Sequence, residues 1–170
     1  TIVLTAGGGR PTTTAGCDGP TQMEAGTNDI DYFVLDFDAT TKEYAFWQAA
    51  MPDNWDGSTI TARFVWLTAS VTTTHDVAWG LQARAFGDNV AIDAAYGTTQ
   101  EVIDTVATAT ANFVYISAAT AAITVGGSPA GGQFVVFRAY RDPANASDVL
   151  DVDARLLAII IEYGISGLSS

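Results

Sequence analysis

Two stretches between residues 51 and 86 alternate with the period of a β-strand. One side of the first stretch carries apolar residues, namely Ile60, Ala62, Phe64 and Trp66. The second stretch repeats the pattern with Val77, Trp79, Leu81 and Ala83. Period two predicts strands and excludes an amphipathic helix, because successive strand side chains point to opposite faces. We expect two long antiparallel strands that pair with each other after the turn at 52–57, with both tryptophans facing one core.

Further strands are predicted along the rest of the chain. Residues 29–37 and 154–165 are apolar on both faces, and the isoleucines at 159–161 favour a strand because β-branched side chains suit strands better than helices. Residues 43–50 fit a strand or a short helix, and their position favours the strand. Shorter strands are predicted at 90–95, 101–108, 112–117, 122–125 and 133–141. Eight to ten strands without a long amphipathic helix predict an all-β, two-sheet antiparallel jelly-roll sandwich.

The first 28 residues differ in composition from the rest. Residues 1–28 are rich in Thr, Pro and Gly, and they predict an extended N-terminal arm ahead of a sandwich domain at 29–170. The arm either packs along its own subunit or adds a strand to a neighbour's sheet edge, and a partly ordered tail is the third reading. If the arm joins subunits, its donated strand is Thr1, Ile2, Val3, Leu4 and Thr5.

Strands that are apolar on both faces need a second cover, because a sandwich strand normally shows one face to water. Self-association is one answer. The predicted interface strand presents Leu157, Ile159, Ile161 and Tyr163. The alternative is that loops or the N-terminal arm cover this face within one chain.

The charge balance narrows the classes of partner. The chain has 19 acidic and 7 basic residues, a net charge of -12. A surface this acidic repels phosphate backbones and anionic lipid, so neither nucleic acid nor a membrane is an expected partner. Cys17 is the only cysteine, which excludes an internal disulfide.

The sequence shows no constellation for catalysis. His75 is the sole histidine and stands beside Asp76 at a strand start, so a surface histidine is expected rather than a general base. Cys17 and the serines then lack an activating partner. The four glutamates are too scattered for a paired-carboxylate site to be placed: Glu24, Glu43, Glu101 and Glu162. We expect a protein that is not an enzyme and that needs no cofactor.

Two groups of residues are candidate ligand sites, and each also fits a purely structural role. An acidic cluster of Asp142, Asp148, Asp151 and Asp153 has oxygen ligands for calcium, but its spacing is not that of a calcium-binding loop, and a solvated loop is expected. Three aromatic residues near predicted strand ends fit a sugar-binding platform or core packing, of which packing is favoured: Trp47, Trp55 and Tyr96.

Two segments of the chain resemble small jelly-roll virion proteins of tailed bacteriophages. The first is MPDNWDG at 51–57, followed by the alternating strand that ends at Trp66 and by VAW at 77–79. The second is AGGQFVVFR at 130–138, followed by Arg141, Asp142, Asp148 and the last apolar strand. The resemblance covers roughly residues 29–163, and it rests on turns and core positions, so it transfers no catalytic residue.

This resemblance implies a structural subunit on the surface of a virion. The expected role is head decoration or a head or tail fibre, and the expected assembly is a homotrimer. The other expected partner is the major capsid protein or another virion protein, and a host surface glycan is a further candidate. Two other classes stay open. One is a secreted filament subunit joined by donated N-terminal strands. The other is a carbohydrate-binding β-sandwich module.

Overall fold

Two antiparallel sheets pack face to face in the computed structural model, which describes residues 1–68, 70, 75–108 and 110–167. The all-β, jelly-roll-like sandwich predicted from the sequence is confirmed. Eleven strands lie in this described part of the chain: β1 Ile2–Thr5, β2 Arg10–Pro11, β3 Asp18–Ala25, β4 Ile30–Phe37, β5 Glu43–Ala50, β6 Trp55–Thr68, β7 Asp76–Phe86, β8 Gln100–Thr105, β9 Tyr115–Ile116, β10 Phe134–Arg141 and β11 Ala154–Ile165.

The strand order differs from the chain order in both sheets. The six-stranded sheet runs β3-β4-β11-β6-β9, and β1 also pairs with β11. The five-stranded sheet runs β2-β5-β10-β7-β8. Every pair of named strands is antiparallel. Within the described residues, no helix is long and apolar enough to cross a membrane.

The pairing predicted for the two long central strands is wrong. β6 pairs with β11 and β9, whereas β7 pairs with β10 and β8, so the two strands belong to different sheets. Their predicted inward faces are nevertheless confirmed, since all eight of those side chains are fully buried. Trp79 stacks on Phe64 with ring centroids 5.5 Å apart and meets Trp66 edge-on at 6.1 Å. The alternation of apolar residues therefore predicted the buried faces of β6 and β7 correctly, but it could not predict which strands pair with them.

Residues 1–28 contribute β1 and β3 to the six-stranded sheet and β2 to the five-stranded sheet. β1 pairs with β11 over Ala158–Ile161, just beyond the Ala154–Leu156 segment that pairs with β4. β2 pairs with β5, and β3 pairs with β4. Leu4 and Ala6 reach the core. The segment packs along its own subunit because β11 is longer than β4 and leaves a hydrogen-bonding edge for β1.

Three of the shorter predicted strands differ in the structure. Residues 90–95 form a loop instead of a strand, and Asn89 begins this loop with a positive φ of 58°. The strand predicted at 112–117 is reduced to β9, and that at 122–125 to one bridge between Ile123 and Ile60. Residues 43–50 are a strand, as the sequence favoured. A short apolar run is therefore not enough to predict a strand, because a strand also needs a free edge to pair with.

Candidate ligand-binding cleft

A cleft of ≈ 410 Å³ lies on the outer face of the five-stranded sheet, across β5, β10 and β7. The loop at 92–96 forms one wall, and Thr12 and Thr13 form the other. The backbone N–H of Thr12 donates to the carbonyl of Tyr44 at 3.2 Å, which holds this second wall against β5. The strands supply the floor with Phe46, Gln48, Arg84, Phe86, Val136 and Arg138.

Strand alternation brings these floor residues to one face. Phe46 lies directly opposite Arg138, and Arg138 lies opposite Gln82, so the three form one row across the sheet. The neighbouring row is Gln48, Val136 and Arg84. The residues between them in the chain, such as Trp47 and Phe137, point into the core and are buried. The cleft floor is thus the outward half of the pattern whose inward half builds the core.

Two aromatic rings and one amide contact the guanidinium of Arg138. The rings of Tyr44 and Tyr96 lie against it, with centroids 4.7 and 4.5 Å from its central carbon. The Gln82 amide satisfies both of its ends when its oxygen faces Arg138, where it accepts from Nη2 at 2.6 Å and from Nε at 2.8 Å. The Gln82 nitrogen then donates to Thr99 Oγ1 at 3.3 Å. Stacking and hydrogen bonding together fix this side chain before any ligand arrives.

Arg84 is the second cation of the cleft. Its Nη1 donates to the carbonyl of Ala95 at 3.0 Å, which ties the 92–96 wall to β7. Its central carbon lies 5.7 Å from the ring centroid of Phe86. Its Nε is buried and has no hydrogen-bond partner in the described part of the chain. One cationic group in this cleft therefore has unused donor capacity.

The two cleft arginines differ from most basic residues of the chain in lacking an acidic partner. Four of the seven basic residues form ion pairs with carboxylates: Lys42 with Asp142, Arg63 with Glu162, Arg141 with Asp148 and Arg155 with Asp36. Neither Arg84 nor Arg138 forms such a pair with any carboxylate of the described ranges. One carboxylate, Asp93, lines the cleft with them.

The cleft combines flat apolar surfaces with planar hydrogen-bonding groups. Phe46, Phe86 and Tyr96 supply half-buried rings, and Gln48 presents an exposed amide that both donates and accepts. Because most of these groups stand on paired strands rather than on loops, their spacing is set by the sheet. Such a surface can bind a ligand that alternates apolar patches with hydroxyl or carboxylate groups.

The chain matches no family model. No curated protein matches it either. Among the solved structures that are similar is the CBM22-2 xylan-binding domain of Xyn10C from Paenibacillus barcinonensis. The two share 10% sequence identity at a TM-score of 0.46, over 96% of this chain and 99% of that one. At this level of identity, no residue role transfers from that domain.

The residues predicted for an intersubunit contact are divided between the core and the surface. Ile159 and Ile161 are fully buried between the sheets, so they are not available to a second subunit in this structure. Leu157 and Tyr163 are half-buried. The residues predicted for strand donation, 1–5, include β1, which pairs with β11 of the same chain. The irregular register between Leu156 and Ala158 explains why the predicted alternation changes face along β11.

The four aspartates of the acidic cluster have separate partners. Asp142 accepts from Lys42 Nζ at 2.7 Å, and Asp148 is bound by Arg141. Asp151 lies 3.3 Å from His75 Nδ1, and Asp153 accepts the backbone N–H of Ala39 at 3.1 Å. No group of three or more metal-ligating side chains was found among the residues with described positions. The side chain of Asp148 is 1% exposed in its pair with Arg141, so the predicted solvated loop does not describe this residue.

The three aromatic candidates also separate. Trp47 and Trp55 are 4% and 3% exposed and pack in the core, as the sequence favoured. Tyr96 alone lies in the cleft. Sequence reasoning missed Tyr44, Gln82, Arg84 and Arg138. A signal for Gln82 and Arg84 was available, because both occupy outward positions of the strand whose inward positions are Val77, Trp79, Leu81 and Ala83.

A second surface, here called the outer apolar groove, lies on the six-stranded sheet and has a volume of ≈ 430 Å³. Leu157, Tyr32 and Leu67 form part of its lining. Ile30 and Val114 on its rim are 58% and 57% exposed. Leu157 sits at the register shift, where β4 stops pairing with β11 and β1 begins. This groove retains the apolar second face that the sequence predicted for strands 29–37 and 154–165.

Proposed function

We propose that this chain is a non-catalytic carbohydrate-binding module whose ligand lies in the cleft of the five-stranded sheet. The observation that carries the proposal is the Arg138 guanidinium, held between two tyrosine rings and bonded to Gln82 beside open aromatic surface. Sugar rings present apolar C–H faces to aromatic rings and hydroxyl groups to planar donors and acceptors. A prearranged, mixed apolar and polar cleft suits that chemistry.

The test is binding of a panel of neutral and acidic oligosaccharides, measured by calorimetry. Substituting Phe46→Ala or Tyr96→Ala removes a ring from the cleft and is expected to weaken binding by about tenfold or more. Phe113→Ala is the matched control, because Phe113 is 50% exposed and does not line the cleft. Affinities unchanged by both cleft substitutions, or the absence of binding to every saccharide, would contradict the proposal.

A second candidate function is self-assembly as a structural subunit on a phage particle. The outer apolar groove supports it, because a contiguous apolar surface of this kind is typical of protein contact sites. Ile30 and Val114 on its rim and Ile116 of β9 are all more than half exposed. The two functions are compatible, since the cleft and the groove lie on different sheets.

Light scattering after size exclusion tests this second function. A homotrimer is expected at micromolar concentration, and Val114→Asp is expected to yield monomers by placing a charge in the groove. Ile92→Asp is the control, since Ile92 is 70% exposed and belongs to the cleft wall on the other sheet. A wild-type monomer would count against assembly through the groove and would leave the cleft proposal untouched.

A further inference from the structure

The distribution of charge is uneven in a way that points to the ligand. The chain carries a net charge of -12, so its overall field repels anions at long range. Yet Arg84 and Arg138, both without an ion-pair partner in the described chain, stand on adjacent strands of one cleft. Arg138 lies opposite Gln82, which is two residues before Arg84. The two arginines are therefore diagonal neighbours on one face of the sheet, with Cα atoms roughly 7–8 Å apart.

Arg138 retains the edge that recognises carboxylates. The Gln82 oxygen accepts hydrogen bonds from Nε and from one hydrogen of Nη2, and the rings of Tyr44 and Tyr96 lie against the guanidinium. The opposite edge, formed by Nη1 and the other hydrogen of Nη2, has no hydrogen bond with the described residues. A guanidinium edge with two parallel N–H groups matches the two oxygens of a carboxylate. Because these contacts already restrain the Arg138 side chain, less side-chain entropy is lost when a ligand binds its remaining edge.

Arg84 can contribute to the same anion. Its Nε is buried, so the donors that a ligand can reach are those of the two Nη atoms. Nη1 already donates to the Ala95 carbonyl, whereas Nη2 forms no hydrogen bond with the described residues and can donate to a carboxylate in the cleft. Asp93 lines the same cleft and repels a second negative charge, so the arrangement favours one carboxylate rather than a densely charged polyanion.

We infer that the ligand of this cleft is an acidic saccharide, whose carboxylate is bound by the guanidinium groups of Arg84 and Arg138. This inference rests on the proposed carbohydrate-binding function and names its ligand class. The tyrosines and Gln82 act as positioning residues that orient Arg138, and Phe46 supplies the surface on which the sugar ring lies.

The experiment uses pairs of ligands that differ only in charge. Oligosaccharides of galacturonic acid, glucuronic acid and N-acetylneuraminic acid are each compared with their methyl esters, by calorimetry on the full chain. At least one acid is expected to bind about tenfold or more tightly than its ester, because charged hydrogen bonds are lost in the ester. Arg138→Lys and Arg84→Gln are each expected to remove most of this preference for the acid over its ester. Arg63→Gln, on the other sheet, is the control for general charge.

The outcomes separate the two proposals. Equal binding of acids and esters, or a preference that survives both arginine substitutions, would overturn the acidic ligand and leave carbohydrate binding intact. Failure of every acidic and neutral saccharide would overturn both. Thermal unfolding shows whether each variant is folded. If the Arg138 variant does not fold, Arg84→Gln alone tests whether the cleft arginines bind the carboxylate.

Discussion

Arg141 and Asp148 form a doubly hydrogen-bonded ion pair in the interior, with Nε and Nη2 lying 3.0 and 2.8 Å from the two carboxylate oxygens. Their side chains are 0% and 1% exposed. Asp148 also accepts the backbone N–H of Ala78 at 3.0 Å, and Arg141 also donates to the carbonyls of Leu150 and Val152. This network joins the end of β10 to β7 and to the segment that leads into β11.

Asp148→Asn is expected to lower the free energy of unfolding by about 3 kcal/mol. The substitution leaves the Arg141 charge buried without its counter-charge, which is more costly than the loss of an exposed pair. Urea unfolding measures the change. Asp151→Asn is the control, because Asp151 pairs with His75 at the surface and is 64% exposed, so a change of no more than about 0.5 kcal/mol is expected. Equal effects of the two substitutions would show that the buried pair has no special role.

Two buried tryptophans are expected to respond differently to replacement by phenylalanine. Trp66 Nε1 donates to Asp104 Oδ2 at 2.7 Å, whereas Trp79 Nε1 has no hydrogen-bond partner among the described residues. Both residues are fully buried, so the loss of ring volume is matched. Trp66→Phe should therefore cost about 1–2 kcal/mol more than Trp79→Phe, because only Trp66 loses a hydrogen bond to a carboxylate. Denaturant unfolding of both variants tests the difference, and the reverse order would contradict it.

Adjacent residues of β1 test whether the N-terminal segment is part of the fold in solution. Leu4 is 5% exposed and packs in the core, while Val3 is 54% exposed. Leu4→Ala is expected to destabilise the protein by about 2–4 kcal/mol, and Val3→Ala by less than about 1 kcal/mol. If Leu4→Ala has no effect on unfolding, β1 is not docked on its own chain, and strand donation to a neighbour becomes the better reading.

The thiol of Cys17 is expected to be unreactive in the folded protein. Burial, followed by the nearby charge of Glu43, raises its pKa from 9.0 to about 12. Iodoacetamide at pH 9 should therefore label the native protein much more slowly than the urea-unfolded protein, because the thiolate is the reactive form. Equal labelling rates would show that the thiol is exposed.

The same shift has a consequence for stability. The unfolded thiol ionises near pH 9 and the folded thiol only near pH 12. The stabilising contribution is therefore complete below about pH 9 and is lost as pH rises towards 12. The free energy of unfolding should fall less steeply over this range in Cys17→Ala than in the wild type.

Much of the fold could be predicted from side-chain periodicity. The sequence predicted strands at 29–37, 43–50, 133–141 and 154–165, and the structure has β4, β5, β10 and β11 there. It also predicted which face of β6 and β7 is buried. Both inferences depend on local information, because the alternation of side chains along one strand identifies the side that leaves water.

Side-chain patterns along the chain are enough to predict the fold class, most strand positions and the inward residues of the central strands. The strand partners and the cleft depend on how distant segments come together in three dimensions. β6 pairs with β11, about 100 residues along the chain, because backbone donors and acceptors are alike in every strand and carry no partner identity. Arg138, Tyr96 and Gln82 likewise meet only where three separate segments are brought together. Their proximity is a property of sheet order, which periodicity along one strand does not encode.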